Sequence, residues 1–225
     1  MDEIEQGYLE KIVKKRPEAV FEIFRSYDAS DDVIRDRVFD RLLGISWQEI
    51  EQKIDAAILF DSYGDEQYFY EGTPYDYIRY FLRVIRPKAG EVIYDLGAGY
   101  GRVVLYGAIT SSAQFRGIEI VPDRIQKAQK AIKRFGIRNA EIIAGNALDL
   151  DYSDGDIFFL FNPFRKDTLE KIGAKLKEMA AKKDFRLVTW GGNSNDFFES
   201  QNWLKKTAEK PVEYAKIDFF STKKV

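Results

Sequence analysis

The stretch YDLGAGYGRVV, residues 94–104, places glycines at 97, 99 and 101 between an acidic residue and an apolar run. Glycine adopts backbone conformations closed to other residues and leaves room for a ligand against the main chain. The spacing therefore predicts a tight ligand-binding turn between a strand and a helix. A dinucleotide fingerprint would need its third glycine at position 102, where this sequence has arginine.

An acidic residue follows this turn at a spacing that suits a ribose. Glu119 ends the next predicted strand, 24 positions after Asp95. A carboxylate at that point can accept hydrogen bonds from both hydroxyls of a ribose. We therefore expect a nucleoside, rather than a dinucleotide, on the glycine turn.

From residue 91 onward, strand-like and helix-like segments alternate. Apolar or alternating runs predict strands at residues 91–96, 115–120, 140–145, 156–161, 185–190 and 214–224. This order predicts an α/β fold with a doubly wound, mostly parallel sheet and helices on both faces. In such sheets ligands bind beyond the carboxyl ends of the strands.

The chain before residue 90 is helical in pattern. Residues 1–60 predict three or four short helices, the last of which ends near Phe60. Thr73 and Pro74 are the residue types that cap and start a helix, and Pro87 should end that helix.

The composition excludes several kinds of chemistry. The chain has no cysteine and no histidine, which removes disulfides, thiolate nucleophiles, the commonest general base and the commonest zinc ligand. Its 35 basic and 37 acidic residues give a net charge of −2, so there is no strong signal for nucleic-acid or membrane binding. No stretch reads as a signal peptide or a membrane span. We expect a soluble, cytoplasmic protein without a metal site.

Four segments together resemble the class I, seven-strand, S-adenosylmethionine-dependent methyltransferases. Residues 95–101 are similar to the first motif of that family, Glu119 to its ribose-binding acid, GNALDLD at 145–151 to its adenine-side loop and FNPF at 161–164 to its fourth motif. The resemblance covers residues 68–225. It implies a Rossmann-like sheet of seven strands with an antiparallel last strand, preceded by a helical N-terminal extension over residues 1–67.

The same resemblance implies a methyltransferase that uses S-adenosyl-L-methionine as its cofactor. It assigns cofactor binding to Tyr70, Thr73, Asp95, Gly97, Ala98, Gly99, Gly101, Glu119, Asn146, Ala147 and Asn162. Asn146 departs from the family pattern, which usually has aspartate there. Its amide oxygen can still accept a hydrogen bond from the amino group of adenine.

A narrower resemblance is to the seven-strand protein-lysine methyltransferases, in which a Tyr-x-x-Thr segment helps to enclose the methionine end of the cofactor. Tyr70 and Thr73 stand in comparable places, and Asn162, Pro163 and Phe164 are similar to the catalytic motif of that group. The motif here has one proline and brings the aromatic residue forward by one position. The implied role of the Asn162 oxygen is to hold the hydrogens of an amine acceptor, while Phe164 attracts its positive charge.

Other functions stay open at this point. The acceptor, a protein or a small molecule, could react at oxygen or carbon, and the fold could bind S-adenosylmethionine without transferring its methyl group. A nicotinamide cofactor is a third alternative, which Arg102 disfavours. The loops around residues 162–167 and 191–198 should select the acceptor. We also expect residues 1–67 to fold over the cofactor end of the sheet and to supply part of the acceptor pocket.

Overall fold

Seven strands form one sheet in the computed structural model, which describes residues 3–26, 33–45, 47–52, 70–212 and 215–222. The strands are β1 (Val92–Leu96), β2 (Gln114–Glu119), β3 (Ala140–Ala144), β4 (Ile157–Phe161), β5 (Arg186–Trp190), β6 (Leu204–Val212) and β7 (Ala215–Thr222). Their order across the sheet is β3-β2-β1-β4-β5-β7-β6, and β7 runs antiparallel to both of its neighbours. The predicted doubly wound sheet with an antiparallel last strand is confirmed.

Helices precede the sheet and cover both of its faces. The described helices are α1 (Glu3–Lys15), α2 (Ala19–Ser26), α3 (Val33–Leu43), α4 (Trp47–Glu51), α5 (Tyr75–Ile85), α6 (Arg102–Thr110), α7 (Pro122–Phe135), α8 (Lys166–Ala180) and α9 (Gly192–Glu199). Within the described ranges, none of them combines the length and the apolar character needed to cross a bilayer. The predicted helix end near Phe60 and the boundary between residues 67 and 68 lie outside the described residues.

The central strands are apolar on both sides because two hydrophobic cores enclose the sheet. In β4, Phe159 packs into one core, whereas Phe158 and Leu160 pack into the other. The first core also contains Phe24 of α2 and Phe39 of α3, whose ring centroids are 4.4 Å apart. Helices α2 and α3 are therefore packed on the same face of the sheet as α5 and α6.

Two elements after β5 were not expected from the sequence. Residues 192–199, where a loop was predicted, form α9, and buried Asn195 fixes this helix by donating to the Lys216 carbonyl at 2.7 Å. Strand β6 pairs with β7 at the edge of the sheet, and four of the nine residues in its sequence LKKTAEKPV are charged. Edge strands tolerate lysine and proline, which hides them from a search for apolar runs.

The start of α5 corrects the predicted cap. Pro74, with ψ at 140°, occupies the N-cap position, and no side chain of its own segment caps the helix. Asp36 of α3 does so from a distance, because its Oδ1 accepts a hydrogen bond from the Tyr75 amide at 3.2 Å. The helix ends at Ile85, where Arg86 takes a left-handed conformation with φ at 45°, and Pro87 lies beyond that end.

Two helical glycines offer a test of this packing. A Cβ at Gly107 of α6 would lie 2.1 Å from a ring carbon of Phe115 in β2, whereas a Cβ at Gly7 of α1 would meet nothing within 4 Å. We expect Gly107→Ala to lower the free energy of unfolding by about 1–3 kcal/mol through overpacking. Gly7→Ala should raise it by about 0.5–1 kcal/mol, because alanine favours the helix. Urea denaturation of both variants measures the difference, and equal shifts would contradict the close approach of α6 to β2.

Candidate functional site

A pocket of about 480 Å³ opens at the carboxyl ends of β1, β2 and β4. All of the predicted site residues except Gly101 line it. They are Tyr70, Thr73, Asp95, Gly97, Ala98, Gly99, Glu119, Asn146, Ala147, Asn162, Pro163 and Phe164. The topology explains this convergence, since parallel strands end at the same edge of a sheet.

The glycine turn is held between an aromatic ring and a proline. Gly97 and Gly99 have φ of 88° and 54°. A Cβ at Gly97 would lie 2.4 Å from Cβ of Pro163, and one at Gly99 would lie 2.6 Å from Cε2 of Tyr70. Both positions therefore require glycine for space as well as for backbone conformation.

Gly101, which the resemblance assigns to cofactor binding, is not among the residues that line the pocket. It takes the N-cap position of α6 with φ at 76°, and a Cβ there would lie 3.2 Å from Cβ of Ala128 in α7. The residue lies behind the pocket wall, where it allows α6 and α7 to pack closely. The sequence pattern alone does not separate this packing glycine from the two that line the pocket.

Glu119 is fixed by the main chain around it. Its Oε2 accepts from the Gly99 amide at 2.7 Å, and its Oε1 accepts from the amides of Ile120 and Val121 at 2.8 and 2.9 Å. A carboxylate has about four lone-pair sites. With this network in place, one lone pair of Oε2 remains for a ribose hydroxyl, where the sequence predicted contacts to two.

Asp95, near the end of β1, lies next to this network and is almost completely buried. Burial, together with the neighbouring Glu119 carboxylate, raises the pKa of Asp95 to about 8. The Asp95 side chain is therefore mostly protonated at neutral pH in the free protein. A positive charge placed beside it would favour its ionised form.

Side chains hold the loop at residues 145–151 through hydrogen bonds to its backbone. Asn146 Oδ1 accepts from the Leu148 amide at 2.9 Å, so this oxygen shapes the turn. Lys175 of α8 donates to the carbonyls of Ala147 and Leu148 at 3.2 and 3.1 Å, and also to that of Leu150. Helix α8 thus fixes the side of the pocket that the sequence assigns to adenine.

Asn162 combines a strained backbone with an unused oxygen. Its φ of 41° is left-handed, one of two such non-glycine values in the part of the chain that the structure describes. The Asn162 side chain packs against Gly191, where a Cβ would lie 2.6 Å from the asparagine Cβ. Its Oδ1 is buried and has no hydrogen-bond partner among the described residues. Such a combination marks functional positions more often than structural ones.

Arg102 lines the pocket, although the sequence offered it only as an objection to a dinucleotide. Its Nε donates to Asp40 Oδ1 at 2.9 Å, and Nη1 donates to Asp36 Oδ2 at 3.1 Å. Nη1 also donates to the carbonyls of Gly72 and Thr73 at 3.1 and 3.2 Å. Burial raises the pKa of Asp36 to about 6, against the opposing attraction of Arg102.

A second buried ion pair joins the pocket to α4. Arg124 of α7 donates to both carboxylate oxygens of Glu51 at 3.0 Å, and the Tyr100 hydroxyl donates to Glu51 Oε1 at 2.7 Å. The guanidinium carbon of Arg124 lies 5.6 Å from the centre of the Tyr70 ring. Sequence reasoning missed Glu51 and Arg124, because no local motif connects residues so far apart in the chain.

The chain has sequence relatives among known methyltransferases. A family model described as a methyltransferase domain matches residues 87–187. Over 113 residues, 45% of this chain and 68% of the relative, the sequence is 31% identical to a protein-lysine N-methyltransferase of Saccharolobus islandicus (strain REY15A). Over 132 residues, 56% of this chain and 61% of the relative, it is 28% identical to a protein-L-isoaspartate O-methyltransferase of Fervidobacterium nodosum (strain ATCC 35602 / DSM 5306 / Rt17-B1).

Solved structures share the fold at lower identity. An RNA methyltransferase from Salinibacter ruber, in complex with S-adenosyl-L-homocysteine, superposes with a TM-score of 0.58 at 24% identity, covering 68% of this chain and 94% of that chain. TrmN from Thermus thermophilus gives a TM-score of 0.55 at 14% identity, covering 65% of this chain and 48% of that chain. The pocket of about 480 Å³ and the free lone pair of Glu119 Oε2 beside it fit a cofactor that carries a ribose, as S-adenosylmethionine does.

Asp95 generates a test based on proton release. S-adenosylmethionine carries positive charge on its sulfur and its amino group, so binding should lower the pKa of Asp95. At pH 7 we expect about 0.5–0.9 proton to be released for each cofactor bound, and we expect affinity to rise with pH until it levels off above about pH 8. Calorimetry in two buffers of different ionisation enthalpy measures the release.

The matched control for this test is Asp95→Asn. The asparagine keeps the shape of the side chain but cannot ionise, so this variant should bind without releasing a proton. If wild-type protein gave the same heat in both buffers, the cation would not lie beside Asp95.

Proposed function

Because the chain belongs to the S-adenosylmethionine-dependent methyltransferases, we propose that it methylates an amine, and that this amine is the side chain of a protein lysine. The observation that carries the proposal is the unpartnered, buried Oδ1 of Asn162 in the pocket wall. An amide oxygen accepts hydrogen bonds and cannot donate them. It therefore suits an acceptor that brings N–H groups.

An amine acceptor needs a free lone pair. The reference pKa of lysine is about 10.4, so exposing the lone pair at neutral pH costs roughly 4–5 kcal/mol unless the site lowers that pKa. A dry site lowers it, because burial disfavours the charged form. The proposed role of Asn162 is to hold the N–H groups of the neutral amine so that its lone pair points at the methyl group.

The sheet order favours entry of the acceptor from the side of β5. Most of the predicted cofactor residues lie at the ends of β1, β2 and β3, whereas Asn162 lies at the end of β4. Next to Asn162, Phe161 lines the pocket and stacks on Trp190 of β5, with ring centroids 3.5 Å apart. Tyr77 of α5 meets Trp190 edge-on at 5.4 Å. These aromatic faces suit the apolar stem and the cationic head of a lysine.

Phe161 is a better candidate than Phe164 for this contact. Phe161 packs with the core that contains α5 and α6, the face on which Trp190 and Tyr77 also lie. Phe164 packs with the opposite core. We propose that Phe161 takes the role that the sequence assigned to Phe164.

The transfer requires little acid–base chemistry from the protein. The acceptor nitrogen forms the new N–C bond as the C–S bond breaks, the bonding electrons stay on sulfur, and the nitrogen then loses a proton to water. Among the described residues that line the pocket, the carboxylates are Glu71, Asp95 and Glu119. Since the last two are proposed to contact the cofactor, a hydroxyl acceptor would lack an evident general base beside Asn162.

The sequence relatives support lysine over the alternatives. Identity is 31% to a protein-lysine N-methyltransferase and 28% to an isoaspartate O-methyltransferase. A direct test is to incubate the protein with methyl-labelled S-adenosylmethionine and, separately, a lysine-rich protein, an RNA and an isoaspartyl peptide. We expect alkali-stable label that elutes as methyl-lysine after acid hydrolysis. Alkali-labile label would indicate a methyl ester, and label on the RNA alone would overturn the proposal.

Substitutions at Asn162 separate binding from chemistry. Asn162→Gly removes the side chain and relieves the left-handed backbone, so it should fold well. We expect it to keep cofactor affinity within about threefold but to lower kcat by about 10² or more, because the lost oxygen aligns the nucleophile. Calorimetry and a methyl-transfer assay on the labelled acceptor give the two quantities.

Asn162→Asp is the conservative partner of this variant. It retains an acceptor oxygen and tolerates the left-handed backbone, so it should keep more activity than the glycine variant. If both variants methylated at the wild-type rate, Asn162 would be only a strand-end residue and the amine proposal would lose its main support.

A further inference from the structure

We propose that helices α3 and α4 contribute to cofactor binding, because three of their carboxylates hold one wall of the pocket against the glycine turn. The carboxylates are Asp36, Asp40 and Glu51, which we call the carboxylate bracket. The wall segment is Tyr70–Thr73. This inference rests on the cofactor of the family and not on the proposed lysine acceptor.

The first arm of the bracket acts through Arg102. The Arg102 side chain is 7% exposed, and its counter-ions Asp36 and Asp40 are 19% and 2% exposed. The same guanidinium donates to the Gly72 and Thr73 carbonyls at 3.1 and 3.2 Å. Arg102 therefore joins the wall segment to α3. Without the two carboxylates it would be a buried, unpaired cation, and it could not stay in this position.

The second arm acts through Glu51, the last residue of α4. Glu51 accepts from Tyr100, inside the glycine turn, and from Arg124, whose guanidinium lies against the Tyr70 ring. Tyr70 and Tyr100 meet edge-on with centroids 4.7 Å apart. One carboxylate thus holds the Tyr100 hydroxyl directly and the Tyr70 ring through Arg124.

Trp47 connects the two arms. Its Nε1 donates to Asp40 Oδ2 at 3.1 Å, and its ring lies 5.4 Å from the Tyr70 ring. Arg102 and Arg124, which pair with the carboxylate bracket, both line the pocket. The three carboxylates come from α3 and α4, and no described residue of these two helices lines it. The arrangement therefore places part of the machinery for cofactor binding in the N-terminal helices.

Buried ion pairs can also be purely structural, so the test needs a matched pair away from the pocket. Arg186 at the start of β5 donates to both oxygens of Glu91 at 2.8 and 2.9 Å. Like Arg124 with Glu51, this pair joins one arginine to both oxygens of a glutamate, here through Nη2 alone, but it lies at the amino ends of the strands, away from the pocket. Glu91→Ala is thus the control for Glu51→Ala.

The primary measurement is binding of S-adenosylhomocysteine by calorimetry, which needs no acceptor. We expect Glu51→Ala to weaken binding by about tenfold and Glu51→Gln to recover part of that loss, because glutamine can still accept from Tyr100. Hydrogen exchange at residues 70–73 should speed up in Glu51→Ala. Glu91→Ala should leave both quantities within about twofold of wild type. In a transfer assay, Glu51→Ala should raise KM for S-adenosylmethionine with kcat nearly unchanged.

Tyr100→Phe provides a second test in case the Glu51→Ala variant does not fold. It removes one hydroxyl, and we expect it to weaken binding by about threefold. Its effect should be less than additive with that of Glu51→Gln, since glutamine accepts the Tyr100 hydrogen bond more weakly than the carboxylate and leaves less for Tyr100→Phe to remove. Wild-type affinity in Tyr100→Phe and Glu51→Gln would overturn the inference, as would an equal loss of affinity in Glu91→Ala. Neither result would bear on whether lysine is the acceptor.

Discussion

The site depends on the hydrogen bond that the Gly99 amide donates to Glu119 at 2.7 Å. It joins the end of β2 to the turn that follows β1, and these strands are direct neighbours in the sheet. Because the glutamate also accepts from two amides of its own loop, both loops are fixed by one carboxylate. The turn is therefore held in its shape by hydrogen bonds within the protein, without a ligand.

Asp95 and Glu119 place two acidic groups beside this hydrogen bond. Asp95 lies close enough to Glu119 for the two carboxyls to repel, and burial adds to the rise in the pKa of Asp95. A neutral ligand would leave Asp95 protonated, whereas a cation beside it would favour the ionised form. The site is therefore suited to a ligand that carries positive charge, as S-adenosylmethionine does and its demethylated product does less.

Features set by neighbouring residues in the chain could be predicted, and features set by distant residues could not. The apolar run IFFLF indicated a central strand, and β4 is covered on both faces. Thr73 looked like a helix cap, but Asp36, 39 positions before Tyr75, caps that helix. Strand β6 was missed because its three lysines and its glutamate interrupt any apolar pattern. The role of Arg102 becomes evident only from its ion pairs with Asp36 and Asp40 of α3.

The residues proposed for the acceptor lie partly outside the span that the family model matches. The matched family model spans residues 87–187, which include the glycine turn, Glu119 and Asn162. Tyr77 and the wall segment lie before that span, and Trp190 lies after it. The glycine turn and Glu119 of the cofactor site lie within the matched span, whereas the aromatic face proposed for the acceptor also uses residues on both sides of it. Relatives that share the central span can thus differ in acceptor, because the surfaces that would select it are built from sequence outside that span.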